Sequence, residues 1–100
     1  MAILVETTEI TITHTEVTAL ASSTAVLSAN RDRKYALFVN DSDTTMYLFL
    51  GATAELNKGI RLNANGGSYE MTIGQGNVYK GAIKVICSAT PKTLLVTEGE

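Results

Sequence analysis

The chain of 100 residues has no tryptophan, one histidine, one cysteine, one proline and 18% charged residues. A single cysteine, Cys87, allows no disulfide within the chain and implies no oxidising compartment. With one histidine and one cysteine, a tetrahedral zinc site of His and Cys ligands cannot be assembled. His14 lies in a polar N-terminal stretch, where a general base would still need an orienting partner and a substrate cleft. A surface histidine is the simpler reading. The net charge is only −2 and no basic stripe exists, which excludes duplex nucleic acid as a partner. No apolar run is long enough to span a bilayer. Met1-Ala2-Ile3-Leu4-Val5-Glu6 lacks the basic start and long apolar stretch of a secretory signal. A soluble product of the cytoplasm, without cofactor or metal, is expected.

What is present suits strands. Apolar residues make up 45% of the chain, enough for one domain with one modest core. Threonine is abundant beside Val, Ile and Leu, and β-branched residues pack well on a pleated surface. Turn residues punctuate the second half: Asn40-Asp41-Ser42-Asp43, Gly51, Asn57-Lys58-Gly59, Asn63 to Gly67, Gly74-Gln75-Gly76 and Pro91. Even spacing of this kind predicts a small antiparallel β-sandwich or jelly-roll-like domain of roughly seven to nine strands. No stretch carries a helical period over three turns, and residues 52–56 form one helical turn at most.

The first part of the chain differs. Glu9-Ile10-Thr11-Ile12-Thr13-His14 alternates as a half-buried strand does, among Thr- and Ser-rich segments with few large apolar residues. Residues 1–22 are read as an extended N-terminal arm or edge strand, lying on this domain or on a neighbour. The compact domain then spans 23–100 and begins with the strand Thr24-Ala25-Val26-Leu27.

Two adjacent runs, Tyr35-Ala36-Leu37-Phe38-Val39 and Met46-Tyr47-Leu48-Phe49-Leu50, are apolar on both faces. A strand of a small two-layer protein alternates, with one face dry and one wet. Tyr35, Leu37 and Val39 fill one face while Ala36 and Phe38 fill the other; Met46, Leu48 and Leu50 oppose Tyr47 and Phe49 in the same way. The second faces are expected to meet a folded-back segment or another subunit, which marks an interaction protein. The turn between the runs is read as a plain hairpin, with Asn and Asp side chains bonding their own backbone.

Motifs for chemistry fail on inspection. Asp41 and Asp43 are spaced to start a calcium loop, but no glycine and no closing glutamate follow at the required places. Asn40-Asp41-Ser42 satisfies a glycosylation triplet, which has meaning only in a secreted eukaryotic chain. Gly51 to Gly59 superficially resembles a phosphate loop, yet its lysine precedes the glycine and a strand follows. Gly66-Gly67 and Gly74-Gln75-Gly76 lie between strand-like runs and read as turns. Arg31, Arg33 and Lys34, broken by Asp32, form either a solvated loop edge or a contact for an acidic surface on a partner. Cys87 shares a face with Ile83 and Val85 and reads as a buried, inert thiol. Four tyrosines without tryptophan fit protein interfaces better than a carbohydrate platform.

In order, residues 27–43, Met46-Tyr47-Leu48-Phe49-Leu50-Gly51, residues 59–70, residues 78–87 and Leu95-Val96-Thr97-Glu98 compose one line. That line resembles the small all-β structural proteins of tailed bacteriophages. These read as Arg-Lys before an apolar strand, Asn-Ser in a turn, Gly-Ile-Arg-Leu, a Gly-Ser-Tyr-Glu strand, then Tyr-x-Gly-x-Ile. The resemblance covers about the last three-quarters of the chain and leaves the segment before residue 23 outside it. It implies a virion component, foremost a capsid decoration or stabilising protein that acts as a homo-oligomer, a trimer favoured, on the phage head. The partners implied are other copies of the chain and the major capsid protein or another virion protein. No binding residues transfer one by one. From the residues themselves, Ile10 and Ile12 are the candidates in the arm, and Phe38, Tyr47 and Phe49 are the candidate anchors on the domain. The alternative is a host-surface or glycan-recognition module of a tail or head fibre; catalysis is not expected.

Overall fold

A computed structural model of the chain describes residues 9–100. It contains eight strands: β1 (Ile12–Ala19), β2 (Thr24–Leu27), β3 (Tyr35–Asn40), β4 (Met46–Leu50), β5 (Ile60–Leu62), β6 (Ser68–Thr72), β7 (Ile83–Cys87) and β8 (Lys92–Gly99). No helix occurs among the described residues, residues 52–56 included. The strands form two antiparallel four-stranded sheets, ordered β1-β8-β3-β6 and β2-β7-β4-β5. The expected small antiparallel sandwich is met.

The order has a simple logic. First pairs with last, second with seventh, third with sixth and fourth with fifth, as in a long hairpin rolled over itself. That is the jelly-roll arrangement, which distributes the four pairs between two facing sheets. Of the seven connections between consecutive strands, only β4–β5 joins hydrogen-bonded neighbours.

The expected hairpin at Asn40-Asp41-Ser42-Asp43 is therefore corrected. β3 and β4 belong to opposite sheets, so the turn is an arch across the sandwich. The reason lies in the inward residues: Ala36 and Phe38 must face Met46 and Leu48, not lie beside them. Asn40 is buried and holds the arch. Its Nδ2 donates to the carbonyls of Thr44 (2.8 Å) and Leu62 (3.0 Å), and its Oδ1 accepts from the Ser42 hydroxyl at 2.6 Å. The arch backbone is satisfied elsewhere as well, with Asp41 N donating to Thr93 O and Asn65 N donating to Ser42 O. A glycan has no access to such an amide.

The core lies between the inner faces. One sheet supplies Ala36, Phe38, Met71, Leu94 and Val96; the other supplies Met46, Leu48, Leu62, Ile83, Val85 and Cys87. Each large side chain so buried contributes about 1.5–3 kcal/mol relative to exposure. The Cys87 thiol is buried and donates to the Ala89 carbonyl at 2.6 Å.

Residues 12–19 of the N-terminal segment pair with β8 along their whole length, Ile12 opposite Gly99 through Ala19 opposite Lys92. They are the edge strand of the first sheet, and Ala19 sits in the core. The part of the expected arm before Glu9 lies outside the described residues.

Candidate functional site

The inner faces are closed, so function falls to the outer faces and edges. Register fixes who stands outside. On the β1-β8-β3-β6 sheet, His14, Thr97, Leu37 and Glu70 form one row, and Glu16, Leu95, Val39 and Ser68 form the next. Leu37, Val39 and Leu95 thereby line a shallow groove of about 390 Å³, bordered by His14, Glu16 and Thr97. His14 Nδ1 and the Thr97 hydroxyl share a hydrogen bond of 3.0 Å. At the end of the groove the Tyr35 hydroxyl donates to the Glu70 carboxylate at 2.6 Å. That hydrogen bond raises the phenol above its usual pKa, and desolvation and the Glu70 charge act in the same direction.

The outer face of the other sheet carries Tyr47, opposite Ile86 and Arg61, and Phe49, opposite Lys84. The chain partly covers this face itself. The Tyr47 hydroxyl donates to Asn57 Oδ1 at 3.0 Å. Gly59 has φ +85°, and a Cβ there would lie 2.5 Å from the Leu48 carbonyl and 3.3 Å from the Phe49 ring. Only glycine lets the 51–59 loop approach β4 so closely.

Several expectations are corrected by these positions. Phe38 is fully buried on the inner face and presents nothing to a partner; strand alternation placed it opposite the face that is open. Arg33 is also buried, at 1% exposure. Its Nε donates to Glu98 Oε2 at 2.8 Å, and its terminal nitrogens donate to the carbonyls of Ser28, Tyr79 and Gly81. It braces two loops to β8 and faces no partner, so Arg31, Arg33 and Lys34 form no common patch. Arg31 is exposed and Lys34 half-buried.

Ile10 and Ile12 are 46% and 43% exposed. They lie over Gly99 of β8, where a Cβ would come within 2.7 Å of Ile10 Cδ1 and 3.1 Å of Ile12 Cδ1. Tyr47 and Phe49 are half-buried on the outer face described above. His14, read as part of a polar arm, belongs to the sheet. Leu95 was missed as a surface residue because Leu94-Leu95 gives no sign of which leucine faces out; pairing with β3 decides it.

Asp41, Ser42, Asp43, Asn65, Lys92 and Thr93 border a polar cleft of about 440 Å³ beside the arch. Lys92 Nζ donates to Asp43 Oδ1 at 2.6 Å, and the Thr44 hydroxyl donates to the same oxygen at 2.9 Å. The Lys92 hydrogen bond, then the Thr44 hydrogen bond and the Lys92 charge, hold the Asp43 carboxyl below the usual range. Lys92 thus pairs with one of the two carboxylates that a calcium loop would begin with. Among the described residues no three His, Cys, Asp or Glu side chains converge as metal ligands, and no helix is long and apolar enough to cross a membrane. No protein-family model, no curated protein and no solved structure matches this chain.

Proposed function

We propose that the chain is a non-enzymatic structural protein of a virion, a capsid decoration or stabilising protein acting as a homo-oligomer on a phage head. Its partners in this reading are other copies of itself and the major capsid protein or another virion protein. The observation that carries the reading is the open apolar row Leu37, Val39 and Leu95 on the outer face of a sheet whose inner face is already complete. In this reading the row, rimmed by His14, Glu16 and Thr97, is the surface that a partner covers. The virion assignment rests on the phage-like order of sequence motifs, and jelly rolls are a common architecture of capsid domains. The fold alone would not select a function. Many modest contacts of this size, repeated over a shell, add through multivalency.

The test is immunogold labelling of particles purified from the source that carries this gene, alongside solution mass by light scattering. Label on heads and an oligomeric mass support the reading. Particles free of label and a monomeric mass at every concentration overturn it.

The polar cleft beside the arch favours the second reading, a module recognising glycans on a host surface. Label on fibres, with glycan binding lost on Asn65→Ala, would select it.

A further inference from the structure

The outer edge of β1, which pairs with no strand among the described residues, carries an inference of its own. We propose that this edge pairs antiparallel with the same edge of a second copy, about a two-fold axis through Thr15. The proposal rests on the reading that copies of the chain associate, and it names the contact.

An open sheet edge is a template for another strand, and proteins blunt their edges with short strands, proline, lysine or bulges. Three of the four edges here are short or irregular: β5 has three residues, β2 has four with a register shift, and β6 has five. β1 runs for eight residues, Ile-Thr-His-Thr-Glu-Val-Thr-Ala, in unbroken register with β8 and without proline or lysine. It ends its sheet, and among the described residues no strand pairs with its outer side.

The outward groups follow from alternation. Thr11 and Glu100 exchange both of their backbone hydrogen bonds. Along an antiparallel ladder such pairs alternate, so Thr13, Thr15, Val17 and Ala19 bond β8. The N–H and C=O groups of Ile12, His14, Glu16 and Thr18 then point away from it. A second β1 must pair through these four residues.

Charge selects the register. Centred on Thr15, the pairing sets His14 opposite Glu16 of the second copy, and Ile12 opposite its Thr18, twice over by symmetry. A shift of one residue pair either way sets His14 against His14 or Glu16 against Glu16. Like charges directly opposite are unfavourable, which counts against Glu16 on Glu16, and His14 on His14 forfeits the carboxylate partner that the centred register supplies. His14 Nδ1 is engaged by Thr97, which leaves Nε2 to meet the carboxylate. The centred register forms about eight main-chain hydrogen bonds. It makes one eight-stranded sheet from two four-stranded ones, with the two Leu37–Val39–Leu95 rows on a common face. The contact is isologous and joins copies in pairs; it is separate from any three-fold contact that the faces make.

Cysteine pairing tests the register directly. In the centred register Thr15 faces its own copy as a non-hydrogen-bonded pair, with Cα atoms about 4.5 Å apart, within disulfide reach. Thr13 faces Val17 instead. Under mild oxidation of the full chain, Thr15→Cys is expected to form a covalent dimer at least about tenfold faster than Thr13→Cys, because paired thiols meet at a high effective concentration. The native chain, with its buried Cys87, is the background. Glu16→Pro removes only an outward N–H and is expected to shift light-scattering mass to lower order with circular dichroism unchanged. Val17→Pro breaks the β8 ladder and is expected to loosen the fold. Equal cross-linking at positions 13 and 15 within a higher-mass species overturns this edge and leaves association of copies standing. A monomer at every concentration overturns both.

Discussion

Arg33 Nε meets Glu98 Oε2 at 2.8 Å, with no Arg33 side-chain surface left to solvent and 20% of the Glu98 side chain exposed. The same guanidinium caps the carbonyls of Ser28, Tyr79 and Gly81. Arg33→Ala would take the guanidinium from those acceptors and leave the partly buried Glu98 carboxylate only the Asn30 Nδ2 contact at 3.4 Å. The expected loss is about 3–5 kcal/mol, the usual penalty for breaking a buried pair, read from urea unfolding. Arg33→Lys should recover only part, because an ammonium cannot reproduce the planar fork. A loss under about 1 kcal/mol for Arg33→Ala, the size of a surface pair, would show that the brace is not structural.

Asn40 satisfies three groups with one side chain: Thr44 O, Leu62 O and the Ser42 hydroxyl. Asn40→Ala removes the side-chain donor to Leu62 O, while the Ser42 hydroxyl still reaches Thr44 O at 3.1 Å. The expected cost is about 1–3 kcal/mol for a buried polar group left unpaired. The unfolding midpoint in urea should fall accordingly, while Asp41→Ala, on the exposed side of the turn, should leave it nearly unchanged.

Phe38 and Leu95 separate folding from association. Phe38→Ala empties a fully buried site and should cost about 3–5 kcal/mol of stability. Leu95 is 37% exposed on the open face, so Leu95→Ser should change stability by less than about 1 kcal/mol. Its effect should appear in light-scattering mass. If Leu95→Ser unfolds the protein or leaves the oligomer intact, the outer face is not the binding surface.

Asp43 supplies the pH prediction. Its pKa in the fold lies below the ordinary value because Lys92 and Thr44 bond the charged form. A depressed carboxyl stabilises the fold fully above its unfolded pKa of about 3.9. That contribution is lost as pH falls through the lower folded value. Lys92→Met should move the Asp43 titration, followed by carboxyl NMR, back up toward the ordinary range. An unmoved titration would assign the depression to something other than Lys92.

Much of the candidate surface was legible in the two-faced run Tyr35 to Val39: alternation alone groups Tyr35, Leu37 and Val39 on one side. It does not say which side is the inner one. Phe38 reads as an interface anchor on the second face, and the sandwich puts that ring in the core. Arg33 shows the same limit for charge. Beside Arg31 and Lys34 it reads as surface, and only the return of β8 brings Glu98 to it across 65 residues of sequence.

By itself the sequence determined the class: β-branched runs, alternation, evenly spaced turns and the absence of helical period leave an antiparallel two-layer domain. Those signals are local, written in periods of two residues and in turn chemistry. Tertiary structure alone decided that the 40–45 turn is an arch, that residues 12–19 complete a sheet, and that Leu95 faces out while Leu94 faces in. Each of these depends on a strand distant in sequence. A jelly roll pairs its first strand with its last, and no local pattern encodes a partner some 80 residues away.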